Sequence, residues 1–148
     1  MKTIVLLLIV PFLGLTQINK LDEKNGFKNF LFGTSPAEYK NLILEIDDGN
    51  TKLYSLDQSP IRLDDIDFEY LRLTFYKNKL SSISLQTKNA NGTKFFQNLK
   101  ENYGEPVKIN KLKENYEWKS TKYQVLYENN EISGDATTSF YTKTGPKK

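Results

Sequence analysis

Side chains that can bind a ligand alternate with apolar side chains through residues 71–86. Because alternate residues of a β-strand point to opposite faces, this pattern predicts a hairpin with one dry face and one polar face. The polar face would carry guanidinium, hydroxyl and amide groups from Arg72, Thr74, Tyr76, Ser82, Ser84 and Gln86. Arginine and tyrosine are enriched where proteins bind partners, since planar donors and rigid rings lose little conformational entropy. We predict a binding site at Arg72, Tyr76 and Ser84 for a peptide, a glycan or an anionic group; the alternative is an ordinary solvated β face.

A second group of side chains that could do chemistry is the acidic segment 64–69. On a strand, Asp65, Asp67 and Glu69 would share one face and could hold a hard cation through oxygen ligands. Two of these carboxylates could also serve glycoside hydrolysis if they lay about 5–10 Å apart. A solvated edge with negative charge is the plainer interpretation, and the spacing and turn glycine of a calcium loop are missing.

Several catalytic classes are excluded by residue types that the sequence lacks. It contains no histidine and no cysteine, which removes His-based triads, cysteine nucleophiles and nearly every zinc or iron site. No serine is followed by lysine three residues later, and the eight glycines are isolated from one another. The sequence therefore predicts no catalytic residue, no metal site and no cofactor.

The first 16 residues have the layout of a secretory signal peptide. Lys2 precedes a mostly apolar run over residues 4–15, which is shorter than the roughly 20 residues that a membrane-spanning helix needs. We predict cleavage after Thr16 and an exported protein, periplasmic or extracellular, with no membrane span after cleavage. The formal net charge is +3, and the lysines are scattered among the acids, so no basic stripe suited to nucleic acid is visible.

Hydrophobic periodicity and turn residues predict a single domain over residues 25–143 between a loose segment, 17–24, and a tail, 144–148. Ser35, Pro36 and Glu38 form a typical helix start, so a first helix is predicted to run to about residue 46. A second helix should follow Asn91 and end at Gly104. Strands are predicted at residues 27–32, 51–56, 68–76, 79–88, 116–118, 123–127 and 137–143, with a loop at 57–66.

Two helices are too few to separate all these strands by parallel crossovers. The predicted fold class is therefore α+β, an antiparallel sheet with two helices packed on one face. The order helix, hairpin, helix, hairpin also suggests two degenerate helix-plus-hairpin repeats.

The segment Phe32-Gly33-Thr34-Ser35-Pro36-Ala37-Glu38 resembles part of small exported bacterial domains of the BamE-like and beta-lactamase-inhibitor-protein-like families. Tyr103-Gly104-Glu105-Pro106 is similar to the Gly-x-Pro element that ends a helix in such domains. The resemblance implies a pair of helices on an antiparallel sheet and an exported binding role, and it assigns no functional residue.

Three functions remain open from the sequence. The first is an exported, non-enzymatic binding module, inhibitor-like or envelope-associated, whose partner is an envelope or extracellular protein or a glycan. The second is a carboxylate-dependent, glycan-active hydrolase that uses the acids of 64–69. The third is a dimeric structural subunit.

Overall fold

The computed structural model describes residues 20–143, which form a mixed α+β fold that is mostly antiparallel sheet. The predicted signal peptide and the predicted tail lie outside the described residues. The strands are β1 (Gly26–Phe27), β2 (Phe30–Leu31), β3 (Leu42–Asp47), β4 (Thr51–Leu56), β5 (Ile61–Leu63), β6 (Ile66–Tyr76), β7 (Lys79–Thr87), β8 (Val107–Lys108), β9 (Asn115–Lys119), β10 (Tyr123–Asn129) and β11 (Ala136–Thr142). The helices are α1, described over residues 20–24, and α2 (Gly92–Tyr103).

One large sheet contains all the strands except β1 and β2, which pair with each other. Its order is β3-β4-β6-β7-β11-β10-β9-β8, and β5 pairs with the first part of β6. Every pairing is antiparallel, as predicted. Because β6 and β7 lie at the centre, the apolar and polar faces of this hairpin form the middle of the two faces of the sheet.

The central hairpin is confirmed. Lys77 and Asn78 form its turn with φ values of 48° and 60°, the left-handed pair that a two-residue hairpin turn favours. The dry face is fully buried, and it includes Leu71, Leu73, Phe75, Ile83, Leu85, Val125 and Phe140.

The second predicted helix is also confirmed as α2. It buries Phe95, Leu99 and Tyr103, and the ring of Phe95 meets Phe68 of β6 edge to face with centroids 5.3 Å apart. Gly104 ends the helix with a φ of 88°, and its carbonyl accepts a hydrogen bond from Trp118 Nε1 at 2.7 Å. Trp118 is therefore a core residue, since none of its surface is exposed.

The first predicted helix is wrong. A single 3₁₀ turn, Pro36–Glu38, follows the predicted start, and Ser35 N does donate to Glu38 Oε1 at 3.0 Å. The chain then enters β3, which pairs with β4 through the turn at residues 48–50. Pairing with β4 decides the outcome, because it supplies the backbone hydrogen bonds of this segment. The predicted packing of two helices on one face and the predicted repeat are therefore not confirmed.

The N-terminal part of the domain also differs from the prediction. Residues 20–24, expected to be loose, are helical, and Leu21 is buried. The single strand predicted over 27–32 is instead the short hairpin of β1 and β2, and Gly26 enters it at a φ of 143°. The predicted loop over 57–66 contains β5.

Candidate binding surface

The polar face of the sheet, opposite α2, is here named the open face. Pairing places Arg72 directly opposite Ser84 of β7 on one side and Ser55 of β4 on the other. The same row of paired residues continues to Ile43 of β3 beyond Ser55. Beyond Ser84 it continues to Ser139 of β11, Leu126 of β10 and Glu117 of β9. α2 and the hairpin of β1 and β2 pack on the other, buried face, where Phe95 meets Phe68 and Phe27 meets Phe140. Arg72 and Ser84 are therefore neighbours near the middle of an uncovered surface.

Arg72 reaches across the sheet from this central position. Its Nε lies 3.2 Å from Glu45 Oε2 on β3, two strands away, and the small side chain of Ser55 lies between the two strands. Its guanidinium carbon also lies 4.8 Å from the centroid of the Tyr70 ring, within cation–π range. The Arg72 side chain is still 44% exposed, so its terminal nitrogens can donate to a ligand.

Glu45 reaches this face because β3 is irregular at that point. The register shifts between Leu44 and Ile46, which leaves Glu45 as the extra residue of a β-bulge. Ile43 opposes Ser55 and Ile46 opposes Leu53, so both isoleucines lie on the open face beside Glu45.

β3 is also the edge of the large sheet. Within residues 20–143 it pairs only with β4, so its other backbone edge has no strand partner. Ile43, Leu44 and Ile46 are 48%, 47% and 57% exposed. An exposed aliphatic edge strand is a template on which another strand can pair, and proteins commonly protect such edges.

A cavity of about 550 Å³ opens beside Arg72, where the sheet is interrupted. β6 pairs with β5 up to Phe68 and with β4 only from Arg72, and the loop over 57–60 spans the gap. Both arginines of the chain line this cavity, together with acidic side chains, and the charged lining residues are Arg62, Arg72, Lys88, Glu45, Asp67 and Glu69. The opposite charges largely compensate one another, so this cavity has no strong preference for an anion.

The three acids that the sequence analysis singled out, Asp65, Asp67 and Glu69, take part in ion pairs. Asp65 pairs with Lys94 at 3.6 Å, Asp67 with Arg62 at 3.7 Å, and Glu69 with Lys88 at 2.8 Å. The hydrogen bond that Lys88 donates to Glu69, together with the negative charge of Glu69, raises the pKa of Lys88. Each carboxylate therefore has its own cation, and in the described part of the chain no group of three potential ligands could hold a metal ion.

Tyr76 does not join Arg72 and Ser84. It lies at the far end of β6, about 13 Å along the strand from Arg72 at the usual rise per residue, and it lines a different cavity. The sequence analysis also missed Ile43, Glu45 and Ile46 as surface residues because it placed them in a helix. The signal that could have found them is the pair of β-branched residues next to a turn-forming Asp-Asp-Gly-Asn segment.

The chain matches no protein-family model, no curated protein and no solved structure. Among residues 20–143, no helix has both the length and the apolar character needed to cross a membrane.

Proposed function

We propose that this protein is an exported, non-enzymatic binding module that captures an extended segment of another envelope or extracellular protein. The observation that carries the proposal is the β3 edge, which has no strand partner within residues 20–143 and exposes Ile43, Leu44 and Ile46. A segment that pairs with β3 would extend the sheet by one strand and gain main-chain hydrogen bonds along it.

The exposed side chains define the partner segment. Ile43 and Ile46 lie on the open face and Leu44 on the opposite one, so the segment should present apolar residues on both of its faces. Burial of three half-exposed aliphatic side chains favours association by a few kcal/mol before the entropy of binding is subtracted. This hydrophobic contribution strengthens binding but does little to fix the orientation of the partner segment.

Arg72 supplies the orientation. Its ion pair with Glu45 of the edge strand is made through Nε, and the side chain is still 44% exposed. A carboxylate on the partner segment could accept hydrogen bonds from two of the other guanidinium N–H groups in a bidentate pair, which fixes the register of the added strand. The partner is therefore an extended segment with apolar side chains and an acidic residue.

The test is a crosslinking pull-down with tagged protein, residues 17–148, in envelope and supernatant fractions of the cells that produce it. Ile46→Asp places a charge in the proposed contact, and Ile132→Asp makes the same change at a side chain that is 99% exposed in the β10–β11 loop. We expect one partner protein in near-equal amount, kept by Ile132→Asp and lost by Ile46→Asp.

Two results would contradict this proposal. Recovery of the same partner with both variants would show that the β3 edge is not the contact. Recovery only of a second copy of this chain, or of a glycan, would replace the proposal with another class of binding.

A further inference from the structure

A second cavity, of about 540 Å³, lies at the other end of the central hairpin. Its lining combines aromatic or aliphatic side chains with lysines, and Gly33, Ser81 and Thr142 complete it. The aromatic and aliphatic members are Phe32, Tyr76, Leu80 and Tyr123, and the cationic ones are Lys77, Lys79 and Lys122. Its volume is within the range of small-molecule sites, roughly 300–1,000 Å³.

The apolar wall of this cavity is held by several contacts. Phe32 stacks on Tyr123 with centroids 5.0 Å apart and the rings 19° from parallel, and the Tyr123 hydroxyl bonds the side chain of Asn25. Gly33 N donates to Leu80 O at 2.9 Å, and Leu80 N donates to Thr34 O at 2.8 Å. These bonds join the start of β7 to the segment after β2, so the wall is preformed.

The three lysines have no acidic partner in the described part of the chain. All three are exposed, and within residues 20–143 no carboxylate lies within the 4.0 Å of an ion pair from Lys77, Lys79 or Lys122. Other lysines around the same sheet, such as Lys52 and Lys88, do pair with acids. These lysines are therefore not neutralised by ion pairs, unlike the charged residues in the cavity beside Arg72. One acid does act on the wall of this cavity, since burial and the charge of Asp22 raise the pKa of Tyr123.

We propose that this cavity binds a small anionic amphiphile, a molecule with a phosphate, sulfonate or carboxylate group on an aromatic or aliphatic body. The body would lie against Phe32, Tyr123 and Leu80, and the anionic group would meet the lysines at the mouth. The site is separate from the β3 edge and does not depend on it.

The probe for the test is 8-anilinonaphthalene-1-sulfonate, followed by its fluorescence and by the backbone amide shifts of the folded protein. We expect one site per chain, shifts centred on Gly33, Ser81 and Thr142, and weaker binding at higher ionic strength. The double variant Lys79→Gln with Lys122→Gln should bind about three- to tenfold more weakly, since it removes two exposed cations that each contribute modestly to binding.

Control variants and an uncharged probe distinguish binding at this site from non-specific electrostatic or hydrophobic binding. Lys111→Gln with Lys113→Gln makes the same charge change in a distant exposed loop and should leave the affinity within about twofold. Thr142→Trp should block the cavity without a change in charge. Equal weakening by both lysine pairs would overturn the proposal, and so would equally tight binding of the uncharged N-phenyl-1-naphthylamine.

Hexyl phosphate and phosphatidylglycerol vesicles distinguish a soluble ligand from a lipid headgroup. Competition by hexyl phosphate in solution supports the cavity as the site, and vesicle binding that the same variants lose extends it to lipids. Vesicle binding with no binding of any soluble anion would overturn the cavity in favour of a diffuse surface attraction.

Discussion

Arg72 Nε lies 3.2 Å from Glu45 Oε2, although the two residues belong to strands separated by β4. Two features of the chain permit this contact. The β-bulge directs Glu45 to the open face, and Ser55, directly opposite Arg72, is too small to block the path. The pair therefore links the centre of the sheet to its exposed edge.

The first prediction concerns the two arginines. Arg72→Lys replaces the planar guanidinium group by an ammonium group. The variant should capture less partner, because a lysine cannot form the bidentate pair with a carboxylate. The free energy of unfolding, measured in urea, should change by less than about 1 kcal/mol, since the ion pair is partly exposed. Arg62→Lys is the matched control, because it alters the other arginine, which pairs with Asp67, and should leave capture unchanged. A large loss of capture with Arg62→Lys would contradict the assignment.

The second prediction concerns Gly26 at the entry to β1. A Cβ at this position would lie 2.1 Å from Phe30 O, and the φ of 143° is itself unfavourable for other residues. Gly26→Ala should therefore lower the free energy of unfolding by at least about 2 kcal/mol.

Gly49→Ala provides the comparison, because its φ is 87° but no atom lies within 4 Å of the added Cβ. It should cost about 1 kcal/mol from backbone strain alone. Equal losses for the two variants would mean that the tight β1–β2 hairpin is not formed as described.

The outcome for the fold shows which parts a sequence pattern can predict. The β6–β7 hairpin and α2 were predicted correctly because period-two alternation, a two-residue turn and a capping glycine all agree there. Around Glu45 the bulge places Ile43 and Ile46 on one face, and this three-residue spacing imitates a helix. Only the pairing with β4, a contact between separate segments, decides between helix and strand.

The candidate surface was predicted in part for the same reason. Arg72 and Ser84 are adjacent because their face follows directly from alternation along β6 and β7. Tyr76 is expected on the same face of β6 as Arg72, but it lies four residues further along the strand and lines another cavity. The contact between Glu45 and Arg72 could not be predicted, since the β-bulge that directs Glu45 to this face arises from the pairing of β3 with β4.

The third prediction concerns alkaline pH. Burial raises the pKa of Tyr103 and Tyr127 above the ordinary value of 10.0, and for Tyr127 the charges of Glu114 and Tyr116 add to this effect. Both phenols therefore stay neutral in the folded protein when they ionise in the unfolded chain. Their stabilisation is complete below a pH of about 10 and decreases as the pH rises above it, by up to about 1.4 kcal/mol per pH unit for each phenol.

Urea unfolding at several pH values tests this sign. The hydroxyls donate to Gly26 O at 2.8 Å and to Gly92 O at 3.0 Å, so Tyr103→Phe with Tyr127→Phe should lower stability at neutral pH by about 1–3 kcal/mol. The further loss of stability between about pH 9 and pH 11 should be smaller in this variant than in the native protein. The two proteins have the same lysines, so the contribution of these residues cancels in the comparison. An identical alkaline loss would contradict the assigned pKa shifts.

The β3 edge as the partner contact is tested most directly by photocrosslinking in the cells that produce the protein. A photoreactive phenylalanine analogue would replace Ile46 in one protein and Ile132 in another, so that both probes are apolar and exposed. We expect the probe at position 46 to crosslink one envelope or extracellular protein, and the probe at position 132 to give no such product. Equal products from both positions, or none from position 46 while position 132 gives one, would contradict the account.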